Sequence, residues 1–346
     1  MILKKVNKEN FKELFNKLKA DYNIAAPVLM EKGKKELIEY EYVDDFADII
    51  WDKQPDSSPK NIIFPQNNYL GNDFEGNAPY DDGKETIILG VRSCDIEAIK
   101  VLDQVFIEDD MYIDENYKKR RDKTIIVGIS CPERQDSCFC DTLGLDPVES
   151  DYAPIYLFKD GDDFWIKVKE EKYENLFAEL PEGDQTKLTE ILEKRREKFK
   201  ESSFELDIPI PLPEKEMFEA DIWQEMTENC LGCGVCTYYC PTCYCFNFFW
   251  EGADGESEKY KSWDSCMFSS YSAHASGHNP RDGKDKRYRN RIMHKFSYHP
   301  LNYEGLACVG CGRCIDRCPV NLDIREALKM TEQYLNEKGG AESGKD

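Results

Sequence analysis

Two runs of cysteine govern what this chain can become. Cys230-x2-Cys233-x2-Cys236-x3-Cys240-Pro241 and Cys308-x2-Cys311-x2-Cys314-x3-Cys318-Pro319 have identical spacing. Three thiolates set two residues apart, with Gly232, Gly234, Gly310 and Gly312 among them, wrap three corners of one iron–sulfur cube. The three-residue step then opens a helix and turns the fourth thiolate away, and in two-cluster ferredoxins that fourth ligand belongs to the other cube. This reading assigns Cys230, Cys233, Cys236 and Cys318 to one [4Fe–4S] cluster. It assigns Cys308, Cys311, Cys314 and Cys240 to a second. The competing arrangement is a zinc ribbon built from paired C-x2-C knuckles, to which two tandem runs of this form are a poor match.

Composition narrows the setting. Fifteen cysteines in 346 residues are too sparse for a disulfide-built miniature, and their number is odd and their distribution clumped. The opening Met1-Ile2-Leu3-Lys4-Lys5 leads into no long apolar region, and no stretch of about 18 apolar residues occurs. The expectation is a cytoplasmic chain with no membrane span, whose thiols stay reduced and available to metal. A net charge of −22 sets nucleic-acid binding aside. A 40% hydrophobic content over this length allows about two domains with real cores.

Residues 1–206 read as an α/β domain, a mostly parallel sheet with helices. Phe11, Leu14, Phe15 and Leu18 have helical spacing within 8–19, and 86–91 and 124–129 are continuous apolar runs of buried-strand length. Residues 95–102 predict a helix capped by Asp95, 156–158 and 164–168 predict a hairpin, and 171–203 read as charged and mostly helical. Pro209, Pro211 and Pro213 predict an extended linker over 207–216. Beyond it, 217–336 reads as an α-rich, ferredoxin-like domain holding both clusters, with 246–305 inserted between the motifs and 337–346 as a disordered tail.

Seven cysteines lie outside the two motifs. Cys94 and Cys131 follow the two apolar runs. If those strands are parallel neighbours, both thiols emerge at one carboxyl edge, with Cys138 and Cys140 close behind. Four thiols are the number a third cluster needs, while Cys is also commonly an ordinary buried residue. Cys243, Cys245 and Cys266 form a trio that needs a further donor, such as His274 or His278, to hold metal; those histidines, with His294 and His299, otherwise read as structural or surface groups. Between Arg281 and Lys295 stand seven basic residues against two acids. Such a stretch either compensates the charge of anionic cubes, seats an acidic partner, or is a solvated helix face. No G-x-G-x-x-G follows either strand and no Walker A run occurs, so an electron relay here needs partners at both ends.

Several segments together carry a resemblance: Gly90-Val91-Arg92-Ser93-Cys94-Asp95-Ile96, Ser130-Cys131-Pro132, Cys138-Phe139-Cys140, Cys240-Pro241-Thr242-Cys243-Tyr244-Cys245, Trp263-Asp264-Ser265-Cys266, Gly277-His278-Asn279-Pro280-Arg281 and Cys308-Val309-Gly310-Cys311-Gly312-Arg313-Cys314. They resemble the iron–sulfur β subunit of cytoplasmic sulfhydrogenases and its relative, the A subunit of anaerobic sulfite reductase, over essentially the whole chain. Pro280 is a departure, since that family more often has Phe there. The resemblance implies a two- or three-cluster electron-transfer subunit. It implies a partner similar to a FAD and [2Fe–2S] NAD(P)H reductase, and a catalytic partner of nickel–iron hydrogenase or sirohaem sulfite reductase type. Arg287-Tyr288-Arg289-Asn290-Arg291 leans toward the hydrogenase type. The other functions weighed are a catalytic module with an open iron site and a regulatory sensor of oxygen or iron.

Overall fold

The computed structural model describes residues 1–33, 35–71, 83–109, 112–201, 204–253 and 256–343. Among them the strands are Ile2–Asn7 (β1), Tyr22–Lys32 (β2), Lys35–Tyr42 (β3), Asn67–Gly71 (β4), Glu85–Val91 (β5), Thr124–Ile129 (β6), Ile155–Asp160 (β7), Asp163–Val168 (β8), Phe246–Ala253 (β9) and Glu256–Trp263 (β10). Seven of them form one sheet in the order β1-β8-β7-β6-β5-β2-β3. The apolar runs are its centre because they are covered on both sides. Strand β5 sends Ile87 and Leu89 into one core and Ile88 and Val91 into another, and β6 divides Ile125 and Val127 from Ile126 in the same way.

The expectation of a mostly parallel sheet is corrected to a mixed one. The pairs β2–β5, β5–β6 and β6–β7 are parallel, while β2–β3, β7–β8 and β8–β1 are antiparallel. The cause is connection length. Strands β7 and β8 close on the turn at Gly161 (φ 60°), which can only return the chain antiparallel; β5 and β6 have two helices, Ser93–Phe106 and Glu115–Asp122, between them.

The first helix, Lys8–Asp21, is capped by the Asn7 side chain, which accepts from the Asn10 backbone amide, and buries Phe11, Phe15 and Leu18 against the sheet. On the other face lies Ser93–Phe106. Asp95 is not its cap: Arg92 holds that position, and Asp95 is buried within the first turn, committed to a distant arginine described below.

Beyond the sheet, the chain packs short helices around Trp223, Met226, Tyr288, Ile292, Phe296 and Leu328. The proline-rich stretch is pinned to this core. Leu212 is fully buried, donates from its backbone amide to the Phe296 carbonyl (2.8 Å) and accepts from the Ser297 hydroxyl (2.7 Å). The last helix, Ile324–Ser343, runs on through most of the segment expected as a disordered tail, and 344–346 lie outside the described residues. Strand β4 pairs with β10 and β10 with β9, so a strand from the first half of the chain joins a small sheet built from the segment between the cysteine motifs.

Candidate metal centres

The two motifs adopt the same backbone. Gly232 and Gly234 in the first, and Gly310 and Gly312 in the second, all have left-handed φ, and short helices Val235–Tyr238 and Arg313–Asp316 follow directly. At Gly310 the need for glycine is also steric. A Cβ there would stand 2.5 Å from the Cys140 backbone nitrogen, because the Phe139 amide donates to the Gly310 carbonyl at 2.8 Å.

Three cavities gather the cysteines. The first is lined by Cys230, Cys233, Cys236 and Cys318. Cys240, Cys308 and Cys311 line the second. Cys314 and Arg291 line both, so the two cavities adjoin, and the fourth cysteine of each run faces the cavity of the other. Cys94, Cys131, Cys138 and Cys140 line a third cavity together with Arg92. Parallel pairing of β5 and β6 puts Cys94 and Cys131 at one edge, and Cys311 lies on the wall of this cavity as well as of the second.

The donor set fits iron–sulfur cubes. Among the described residues, no three His, Cys, Asp or Glu side chains close on one point as ligands of a single ion. Thiolates around a lone zinc stand only about 3.8 Å apart, from a Zn–S bond near 2.3 Å, whereas a cube keeps its four ligands at separate corners. Burial pushes the Cys236 and Cys308 thiols up to about 11, against Arg291 and Lys295 respectively, and Cys138 also up to about 11. Deprotonating such thiols takes the charge of a bound metal, which couples cluster binding to proton release.

The basic stretch resolves into two faces. Arg287, Arg291 and Lys295 are buried, at 9%, 3% and 2% exposure, while Lys284, Lys286 and Arg289 are partly exposed. Lys295 Nζ donates to Cys240 Sγ (3.3 Å), Thr242 Oγ1 (3.0 Å) and the Ala307 carbonyl (2.8 Å). Burial opposes the charge on Lys295, yet the surrounding Cys240, Cys243 and Cys308 thiolates outweigh it and carry its pKa upward. A solvated helix face is therefore excluded for these three residues.

The remaining cysteine trio lines none of these three cavities. Cys243 shares a hydrogen bond with Cys240, and Cys245 is hydrogen-bonded by Cys266 and Tyr271, contacts that hold the Cys245 thiol down at about 6. His274 and His278 are exposed and bonded backbone to backbone, so neither is seen to serve the trio. His294 bonds Tyr244 Oη (2.9 Å) and His299 is buried beside Tyr303.

Several contacts were invisible in the spacing of cysteines. Arg313, inside the second motif, grips Asp95 through both guanidinium ends (2.6 and 2.7 Å) and donates from Nε to the Pro55 carbonyl (2.9 Å). Lys60 reaches from the α/β half to the carbonyls of Cys240 and Cys243, both at 2.9 Å, with its ammonium 3.9 Å from the centre of the Trp263 ring. Burial lowers the Lys60 pKa to about 8. Lone basic and acidic residues far apart in sequence gave no signal for these pairings.

Adjoining cavities lined by cysteines drawn from both motifs define an iron–sulfur protein of the dicluster class, and residues 229–322 match the family model described as a 4Fe-4S dicluster domain. At full length the chain is 32% identical over 345 residues to sulfhydrogenase 2 subunit beta of Pyrococcus furiosus, an alignment covering 96% of this chain and 98% of that relative. It belongs to the sulfhydrogenase β-subunit family. No helix among the described residues is long and apolar enough to cross a membrane.

Proposed function

We propose that this chain is the electron-transfer subunit of a multisubunit hydrogenase-type complex, with no substrate chemistry of its own. The observation that carries the reading is the wall shared by adjoining cysteine cavities: Cys314 and Arg291 between the first and second, Cys311 between the second and third. Cys230, Cys233, Cys236 and Cys318 would hold one [4Fe–4S] cluster and Cys308, Cys311, Cys314 and Cys240 the other, within a ferredoxin-like unit into which 246–305 is inserted. Cys94, Cys131, Cys138 and Cys140 would hold a third. When bound, such clusters exchange single electrons at low potential. The chain's own part is to hold thiolates in a file, to exclude water from Cys240, Cys311 and Cys94, and to surround them with fixed cations.

One end of this file would take electrons from, or return them to, a FAD and [2Fe–2S] NAD(P)H-reductase-like subunit, where a flavin converts single electrons to hydride. The other end would face a nickel–iron hydrogenase subunit. The full-length similarity to a sulfhydrogenase β subunit favours that partner over a sirohaem sulfite reductase.

The test is anaerobic purification of the native assembly, with iron and sulfide analysis, low-temperature electron paramagnetic resonance and identification of the co-purifying chains. The expected result is three cubes per chain, about twelve irons, beside a flavoprotein and a nickel protein. A colourless zinc-bearing chain would overturn the reading entirely; two cubes would remove the third site alone; isolation without a flavoprotein would remove the relay.

A further inference from the structure

We infer that Arg287, Arg291 and Lys295 form a cationic rail that sets the reduction potentials of the two dicluster centres in a graded way: Arg287 acts on the first, Lys295 on the second, and Arg291 on both. This deepens the proposed function and rests on its ligand assignment.

The rail begins with spacing. The three residues stand four apart, so one face of the helix Lys284–Met293, carried on by the wide π-type turn His294–Tyr298, presents all of them. That face looks at the two cysteine motifs. The Arg287 guanidinium lies beside the Gly232 turn of the first motif, Arg291 lines both adjoining cavities, and Lys295 touches Cys240 Sγ.

What the three cations lack is equally informative. None pairs with a carboxylate among the described residues: Arg287 donates only to the carbonyls of Arg281 (2.9 Å) and Asp282 (2.8 Å), and Lys295 to two oxygens and a sulfur. The Nε atoms of Arg287 and Arg291 are buried with no hydrogen-bond partner. Burying a charge without a counter-charge is strongly unfavourable, so three together require an anion nearby, and among the described residues what faces Arg291 and Lys295 is the cysteines of the two cavities, with Cys243 close by. Reduction adds one electron and deepens that negative charge, and a fixed cation in a low-dielectric surround favours the reduced form.

The opposite face supplies the control. Lys286 pairs with Asp282 (2.7 Å), and Arg289 stacks on Phe218 and donates to its carbonyl (2.8 Å), both away from the cavities.

The experiment is a redox titration of the anaerobically purified assembly, followed by electron paramagnetic resonance, for Arg287→Met, Arg291→Met, Lys295→Met and the control Lys286→Met, with iron measured on each. Each rail variant is expected to shift the reduction equilibrium at least tenfold toward the oxidised form, about 59 mV for a one-electron couple. The shift should fall on one cluster signal for Arg287→Met, on the other for Lys295→Met and on both for Arg291→Met. Lys286→Met and the charge-conserving Arg291→Lys should stay within threefold of the parent. Parental potentials in Arg291→Met at full iron content would overturn the rail. If Arg291→Met loses iron, Arg291→Gln takes its place, and parental potentials there overturn it equally. A parent chain with fewer than two cubes would overturn the ligand assignment first, which iron analysis separates from failure of the rail.

Discussion

Replacing Arg313 by Met tests how the second cysteine motif is fastened to the α/β sheet. The wild-type side chain is 3% exposed and Asp95 fully buried, and three hydrogen bonds of 2.6, 2.7 and 2.9 Å leave the guanidinium for Asp95 and Pro55. Arg313→Met fills the space but strands the Asp95 carboxylate with both oxygens unpaired. Removing one partner of a buried pair costs about 3–5 kcal/mol, mostly because the other charge stays behind. With a urea slope of about 3 kcal/mol per M, the unfolding midpoint falls by about 1–1.7 M. Midpoints are followed anaerobically by tryptophan fluorescence, because release of iron makes the transition multi-step. Asp95→Leu should cost a similar amount, and Asp95→Leu with Arg313→Met clearly less than the two losses together, with a coupling of about 0.5–3 kcal/mol. Additive losses, or a loss below about 1 kcal/mol in Arg313→Met, would refute the reasoning.

Other outcomes follow from local geometry. Gly310→Ala adds a Cβ that meets the Cys140 backbone at φ 59°, whereas Gly161→Ala has a similar φ of 60° with open space around it. Thermal denaturation should show a loss of about 1–2 kcal/mol at Gly161 from backbone strain alone, and about 1–3 kcal/mol more at Gly310. Burial, reinforced by Lys295, holds His294 and His299 down at about 4. The unfolded chain binds protons more readily at these sites, so their contribution is complete above about pH 6.5 and is lost as pH falls toward 4. On the order of 3 kcal/mol per histidine is involved, and His299→Phe should flatten that part of the stability profile. Finally, Cys131→Ser should lower iron by about four atoms per chain while both dicluster resonance signals persist; full iron retention would remove Cys131 from the third ligand set.

How much of this was legible beforehand differs from element to element. Thr124–Ile129 and Glu85–Val91 were readable as strands because both faces of each are apolar, and the helix Lys8–Asp21 because Phe11, Phe15 and Leu18 recur on one side. Strand β1 and the edge strand β3 were not, since Lys4, Lys5, Glu36, Glu39 and Glu41 break any simple apolar pattern. Asp95 looked like a helix cap, a role any acid at a helix start can fill, and only the arrival of Arg313 from 218 positions away takes it out of that role.

The dicluster class was legible in the spacing of the two motifs, because short intervals between thiols are fixed by local backbone geometry and survive any tertiary arrangement. Which thiols share a cavity, which face of the basic helix is buried, and that Cys311 stands between the sheet's carboxyl edge and the second motif were decided only when the two halves packed together. The reason is physical. A charge or thiol separated by hundreds of residues from its neighbour leaves no periodic trace in the chain, and its surroundings exist only once the intervening cores have formed.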